Sequence, residues 1–282
     1  MKQIEYSKSD ISKLFRPREE DTNKADYGRF LVIGGSPGMS GALKLAVLSC
    51  YRAGAGLVYY TAPKEHLVAY DALVTEGITV ALEDLPENIT RKDCICIGCG
   101  LKVTVENTEL FEFVLFSTDC PLVVDAGALQ MLAGRKDLLK LYGPRMMILP
   151  HPGEMSVLTG ISVPEIQKNR VDMAAELSQD YGCITVLKGH DTVVTDGERV
   201  YVNKTGNAGM ATGGAGDVLA GIVTAYTKMF DDRFTAACMA VYVHGSAGDY
   251  AKKDLGEISM CAGDIAEYIS KAHKEIMNGK TR

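Results

Sequence analysis

The chain has 282 residues, 46% of them hydrophobic and 23% charged, which is enough apolar material for a sizeable buried core. A net charge of −6 with no basic block argues against a nucleic-acid partner. No apolar run approaches the roughly 18 residues of a membrane span, and the charged N-terminus lacks the apolar centre of a secretory signal. A soluble cytoplasmic protein is expected.

After a polar lead-in (1–23), short β-branched runs alternate with helical patterns. FLVIGG (30–35) reads as a strand, and GALKLAVLSCYRAGAG (41–56) carries apolar residues at helical spacing. LVYYTAP (57–63), CICIGCG (94–100), PLVVDAGAL (121–129) and MMILPHPGE (146–154) each start as an apolar run and end in glycine, proline or a polar group. Residues 164–182 read as a helix with Pro164 in its first turn and Gly182 past its end. CITVLKG (183–189), DTVVTDG (191–197) and RVYVNK (199–204) read as three strands, the last two forming a hairpin. Helices are predicted over 217–230, 233–251 and 261–277. The alternation predicts a single α/β domain: a mainly parallel sheet with helices on both faces and a late antiparallel hairpin.

In such a sheet, ligands bind beyond the carboxyl ends of the strands. The polar clusters GGSPGMSG, GCG, DAG, PHPGE and KGHD all follow strands and are therefore expected to converge on one edge. Most of the eight cysteines, Cys50, Cys120, Cys183 and Cys238 among them, are read as small hydrophobes, as is the C-x-x-C of Cys96 and Cys99, which has no second cysteine pair to complete a metal site. His66, His244 and His273 show no ligand spacing and are assigned to packing.

The segment TGNAGMATGGAGDVLAG (205–221) is too poor in large side chains to fill a core. Uncovered amides of Gly214, Ala215 and Gly216, ahead of a helix starting near Asp217, can form an anion hole suited to a phosphoryl group. Asp217 can then take the proton of an attacking hydroxyl; its alternative use is as an ordinary helix N-cap. Neither G-x-x-x-x-G-K-S/T nor G-x-G-x-x-G is present, so no P-loop or common dinucleotide fold is indicated.

Three ordered segments, 28–58, 149–160 and 186–226, resemble the ADP/ATP-dependent NAD(P)H-hydrate dehydratases of the ribokinase-like superfamily. The resemblance runs from about Lys24 to the last helices. It implies a three-layer α/β/α fold and repair of hydrated NADH and NADPH: ADP or ATP phosphorylates the ring hydroxyl of the S-epimer, and phosphate is then eliminated. It places Asp217 in catalysis and against the substrate, with Ala42, Gly100 and His151 also on the hydrated dinucleotide. Lys188, Gly189, His190, Asp191, Thr192 and Gly216 fall on the adenine nucleotide. Mg2+ is implied as the nucleotide's companion, with Glu154 one candidate ligand, and a homotetramer is implied as the assembly. Cys99 stands where the family usually has proline, Lys102 where glycine is frequent, and Ala208 where proline is common. The residues upstream are too few for the epimerase domain of some relatives, so the stand-alone form is expected. A ribokinase-like kinase for a hydroxymethyl vitamin precursor and a non-catalytic nucleotide sensor are the alternatives.

Overall fold

In a computed structural model describing residues 1–62 and 66–279, ten strands form one sheet. They are β1 (Lys2–Gln3), β2 (Arg29–Ile33), β3 (Leu57–Ala62), β4 (Ile78–Ala81), β5 (Cys94–Ile97), β6 (Leu122–Val124), β7 (Met146–Ile148), β8 (Ile184–Leu187), β9 (Val193–Thr195) and β10 (Arg199–Val202). Their order is β1-β10-β9-β8-β7-β6-β5-β2-β3-β4. Every pairing is parallel except the two made by β9, which runs antiparallel to both β8 and β10.

Alternation along each strand sends successive side chains to opposite faces. Phe30, Val32, Cys94, Cys96, Val123 and Met147 join one core layer, and Leu31, Ile33, Ile95, Ile97, Val124 and Ile148 join the other. The first layer lies under the helices Ser40–Arg52, Ala215–Met229, Arg233–Leu255 and Ala262–Asn278. The second lies under Val105–Ser117, Ala126–Met131, Pro152–Thr159 and Arg170–Tyr181, among others. This is the expected three-layer α/β/α arrangement, with the late hairpin at β9–β10.

Several local expectations are corrected. The polar lead-in is part of the fold. Lys2 and Gln3 pair in parallel with β10, and the helix Lys8–Leu14, closed by a Ser7–Asp10 capping box, leads Ile11 and Phe15 into the core. Its signal is weak because one edge strand is exposed and only a few lead-in residues are buried. The helix foreseen over 164–182 is two, Val163–Lys168 and Arg170–Tyr181, broken at Asn169, whose backbone (φ −126°, ψ 41°) leaves the helical region. Pro63, the last residue of the strand foreseen over 57–63, lies outside the described residues. All eight cysteines are free, and among the described residues no group of three or more His, Cys, Asp or Glu side chains is arranged to hold a metal. No helix there is long and apolar enough to cross a membrane.

His273 packs among aromatic rings, its Nε2 2.6 Å from the Tyr226 hydroxyl, and burial lowers its pKa from the ordinary 6.5 to about 4. Between those values the unfolded chain binds the extra proton, so stability falls as pH drops from 6.5 towards 4. The slope from this residue is about 1.4 kcal/mol per pH unit. In thermal melts across that range, His273→Gln should show a shallower acid loss than the wild type.

Candidate active site

The strand ends of β8, β7, β6, β5 and β2 are consecutive in the sheet, so the polar clusters following them sit side by side. Backbone bonds stitch them together: Lys188 N to Pro150 O at 2.8 Å, Leu149 N to Val124 O at 3.0 Å, Asp125 N to Ile97 O at 3.1 Å and Gly98 N to Ile33 O at 3.0 Å. The β2 and β5 loops are further joined by Gly35 N to Cys99 O at 2.8 Å and Lys102 N to the Ser36 hydroxyl at 3.1 Å. Gly100 has φ +67°, and a Cβ there would come within 2.7 Å of the Met39 carbonyl and 2.8 Å of the Ala42 Cβ. Two residues foreseen on the substrate, 58 positions apart in sequence, are thus neighbours, and glycine is required for the approach.

The helix after the glycine-rich segment runs Ala215–Met229, two residues earlier than foreseen, with Gly214 at its N-cap in the left-handed region (φ +98°). Asp217 therefore stands in the first turn and is not the cap. No side chain caps this end, which leaves first-turn amides without the usual partner and a positive dipole end facing outward. Of the three foreseen anion-hole amides, that of Ala215 makes a long 3.4 Å bond to the Thr212 carbonyl.

Beside this helix end lies a cleft of about 420 Å³. All six foreseen nucleotide positions, Lys188, Gly189, His190, Asp191, Thr192 and Gly216, line it. Asp191 holds φ +55° and accepts from the Lys204 ammonium at 2.6 Å, a bond that lowers its pKa. Arg170 donates to the carbonyls of Leu187 at 2.8 Å and Lys188 at 3.2 Å, anchoring the start of this loop.

Lys188 is not a solvated strand-end lysine. Its ammonium lies 2.5 Å from Asp125 and 3.6 Å from Glu154, both carboxylates nearly covered. It also lies 3.4 Å from the point where a Cβ on Gly216 would stand, with an Asp125 oxygen 3.8 Å from that point. Burial lowers the Lys188 pKa, but Asp125 and Glu154 outweigh it, so the ammonium is held above its ordinary value. Burial pushes the Asp125 carboxyl up to about 6 against the pull of Lys188, with Glu154 adding to the rise.

Asp217 is half-buried. Burial raises its pKa, a hydrogen bond from the Cys99 thiol and the Lys188 charge draw it partly back, and Glu154 raises it further. Through its neighbour Gly216 it adjoins the cleft, and through Cys99 it adjoins the Gly98–Gly100 turn and Ala42. His151, exposed, caps the helix Pro152–Thr159. Its Nδ1 accepts from the amides of Gly153 at 3.0 Å and Glu154 at 3.1 Å, so the ring is the Nε2–H form when neutral, with Nε2 3.5 Å from Glu154. Glu154 in turn accepts from the His151 amide at 2.7 Å.

Asp125, Arg170 and His244 were not singled out from the sequence. Asp125 lay in a recognised cluster, DAG, but an aspartate after a strand is common. Arg170 sits in an ordinary helical pattern. His244, assigned to packing, lines the cleft and stands 2.9 Å from the Ala215 carbonyl through Nε2.

The family model described as NAD(P)H-hydrate dehydratase matches residues 30–271. The bifunctional NAD(P)H-hydrate repair enzyme Nnr of Moorella thermoacetica is 37% identical over 89% of this chain, but the match covers 50% of that protein. The chain spans about half the length of the bifunctional relatives it matches. The ADP-dependent (S)-NAD(P)H-hydrate dehydratase of Neisseria meningitidis is 34% identical over 95% of this chain and 91% of its own. Among solved structures, the ADP/ATP-dependent NAD(P)H-hydrate dehydratase of Bacillus subtilis, co-crystallised with ATP and Mg2+, superposes with a TM-score of 0.83 at 26% identity, covering 96% of this chain and 97% of that one. With its ribokinase-like three-layer fold and its strand-end clusters in the order set out above, the chain belongs to the NAD(P)H-hydrate dehydratase family.

Proposed function

We propose that the protein restores NADH and NADPH from the S-epimer of their hydrated forms, using ADP or ATP as the phosphoryl donor. The observation that carries this reading is the position of Asp217 between two regions. On one side is a cleft lined by Lys188 to Thr192 and Gly216; on the other, through Cys99, is the Gly100–Ala42 contact. A nucleotide in the cleft directs its terminal phosphoryl at the uncapped helix end, where Gly214 and Gly216 supply backbone donors and Lys188 a cation. Hydrated nicotinamide lies over Ala42, Gly100 and His151. Asp217 accepts the proton of the ring hydroxyl as its oxygen attacks the phosphoryl. The phosphorylated oxygen is then a good leaving group; the lone pair of the adjacent ring nitrogen expels phosphate, and loss of a ring proton restores the dihydronicotinamide.

The residues present do not form a metal cage. Glu154 is occupied by the His151 amide and lies near Lys188, and Asp125 is held by Lys188. One ammonium faces the carboxylates of Asp125, Glu154 and Asp217, so a polyphosphate needs a counter-cation of its own. Mg2+ fits as part of the nucleotide complex and not as a resident ion. One domain, a homotetramer and a cytoplasmic location belong to the same reading.

The test is to incubate the purified protein with hydrated NADH, ADP and Mg2+, following both dihydronicotinamide absorbance and free phosphate. The two should rise together and in equal amounts. A stable phosphorylated product without phosphate release would instead mark a kinase, and no turnover with either nucleotide would end the proposal.

A further inference from the structure

The glycine-rich segment has few side chains with which to hold its shape, so its conformation depends on what it lies against. That template is one stretch of the helix Arg233–Leu255. Asn203 donates to the Val241 carbonyl at 3.1 Å and Thr205 to the Tyr242 carbonyl at 3.1 Å. Gly206 N and the Asn207 amide both bond to Asp249, at 2.9 and 3.0 Å. At the far end of the segment His244 Nε2 ties this helix to the Ala215 carbonyl at 2.9 Å.

A carbonyl oxygen only accepts, so this bond requires the proton on Nε2. The Ala215 carbonyl and the Gly216 N–H belong to one planar trans peptide, in which they point in opposite directions. Fixing the carbonyl therefore fixes the direction of the N–H. A donor on the carbonyl also polarises the peptide and makes its N–H a stronger donor in turn. The second lone pair of the carbonyl remains for the helix. We infer that His244 is a positioning residue for phosphoryl transfer, holding and polarising the Ala215–Gly216 peptide so that the Gly216 amide meets the charge that develops on the moving phosphoryl. This rests on the reading of Gly216 as a phosphoryl-binding amide. Burial holds the ring's pKa at about 4, with the Ala215 bond raising it and Lys188 lowering it. The ring is thus a neutral donor throughout the neutral pH range, adding no charge that would bind the ground-state phosphate more tightly.

The roles separate in kinetics. A group that acts on developing charge affects kcat more than substrate binding. Glutamine can place an amide N–H near the position of Nε2, whereas leucine fills the space without a donor. With hydrated NADH and ADP, His244→Leu should lower kcat by about tenfold to a hundredfold, with both KM values near wild type. His244→Gln should recover most of the loss. Nitrogen NMR of the wild type between pH 6 and 8 should show His244 as the neutral Nε2–H tautomer, a measurement that does not depend on any variant folding. Equal losses in the glutamine and leucine variants, a loss confined to the KM for ADP, or an Nδ1–H ring would each overturn the inference. Failure of the underlying reading is distinguishable, since the wild type itself would then release no phosphate.

Discussion

Replacing Asp217 with asparagine should lower kcat by about two to four orders of magnitude while leaving ADP affinity close to wild type. The substitution keeps the size of the side chain and removes only its capacity to accept a proton. The donors proposed for phosphate are backbone amides and Lys188, all of which stay in place. Isothermal titration with ADP, beside turnover of hydrated NADH, separates the two effects. A variant that keeps its rate within tenfold would remove Asp217 as the base. The wild-type pH profile carries the same information. Burial raises the Asp217 carboxyl above its ordinary 3.8, and a base works only when deprotonated. Activity should therefore fall with acidification at a higher pH than an exposed aspartate would give, and the acid limb should be absent from whatever residual rate the asparagine variant retains.

Lys188→Met should be the most destabilising single change at the site, by about 3–5 kcal/mol near neutral pH. The ammonium is the shared counter-charge of two covered carboxylates, with side chains of Asp125 and Glu154 exposed by only 2% and 8%. Removing it leaves them facing each other with no cation between. The loss should shrink as pH falls and Asp125, already raised to about 6, takes up its proton. The double variant Lys188→Met, Asp125→Asn should recover a substantial part of the stability without recovering activity, because the cation beside Gly216 is still missing. Chemical denaturation of the three proteins at two pH values decides this. Additive destabilisation in the double variant would show that the Asp125 pair is not what Lys188 stabilises.

Much of this was legible from residues alone. FLVIGG, CICIGCG and MMILPHPGE announced buried parallel strands because apolar runs without alternation need both faces covered, and their polar endings pointed to one edge of the sheet as the place for a ligand. The glycine-rich run ending at Asp217 pointed to a backbone anion site because so little side chain before a helix leaves its amides uncovered. The exact start of that helix was not legible: Gly214 takes the N-cap position, and aspartate is as good a cap as a base in sequence terms. The lead-in was misjudged for a related reason. Lys2, Gln3, Ile11 and Phe15 acquire their partners from β10 and from the last helices, nearly 200 or more residues away.

Sequence by itself determined the fold class and the edge of the sheet on which the polar clusters gather, and it supplied Asp217 and the 188–192 loop as candidates, because these follow from local pattern and residue type. Only the tertiary structure decided which charges and donors meet. Lys188 lies between Asp125 and Glu154, Cys99 against Asp217, Gly100 against Ala42, and His244 on the peptide that carries the Gly216 amide. Each of these contacts joins segments from different strands or helices. Its strength depends on distance and on exclusion of water, and neither quantity exists until the layers have packed.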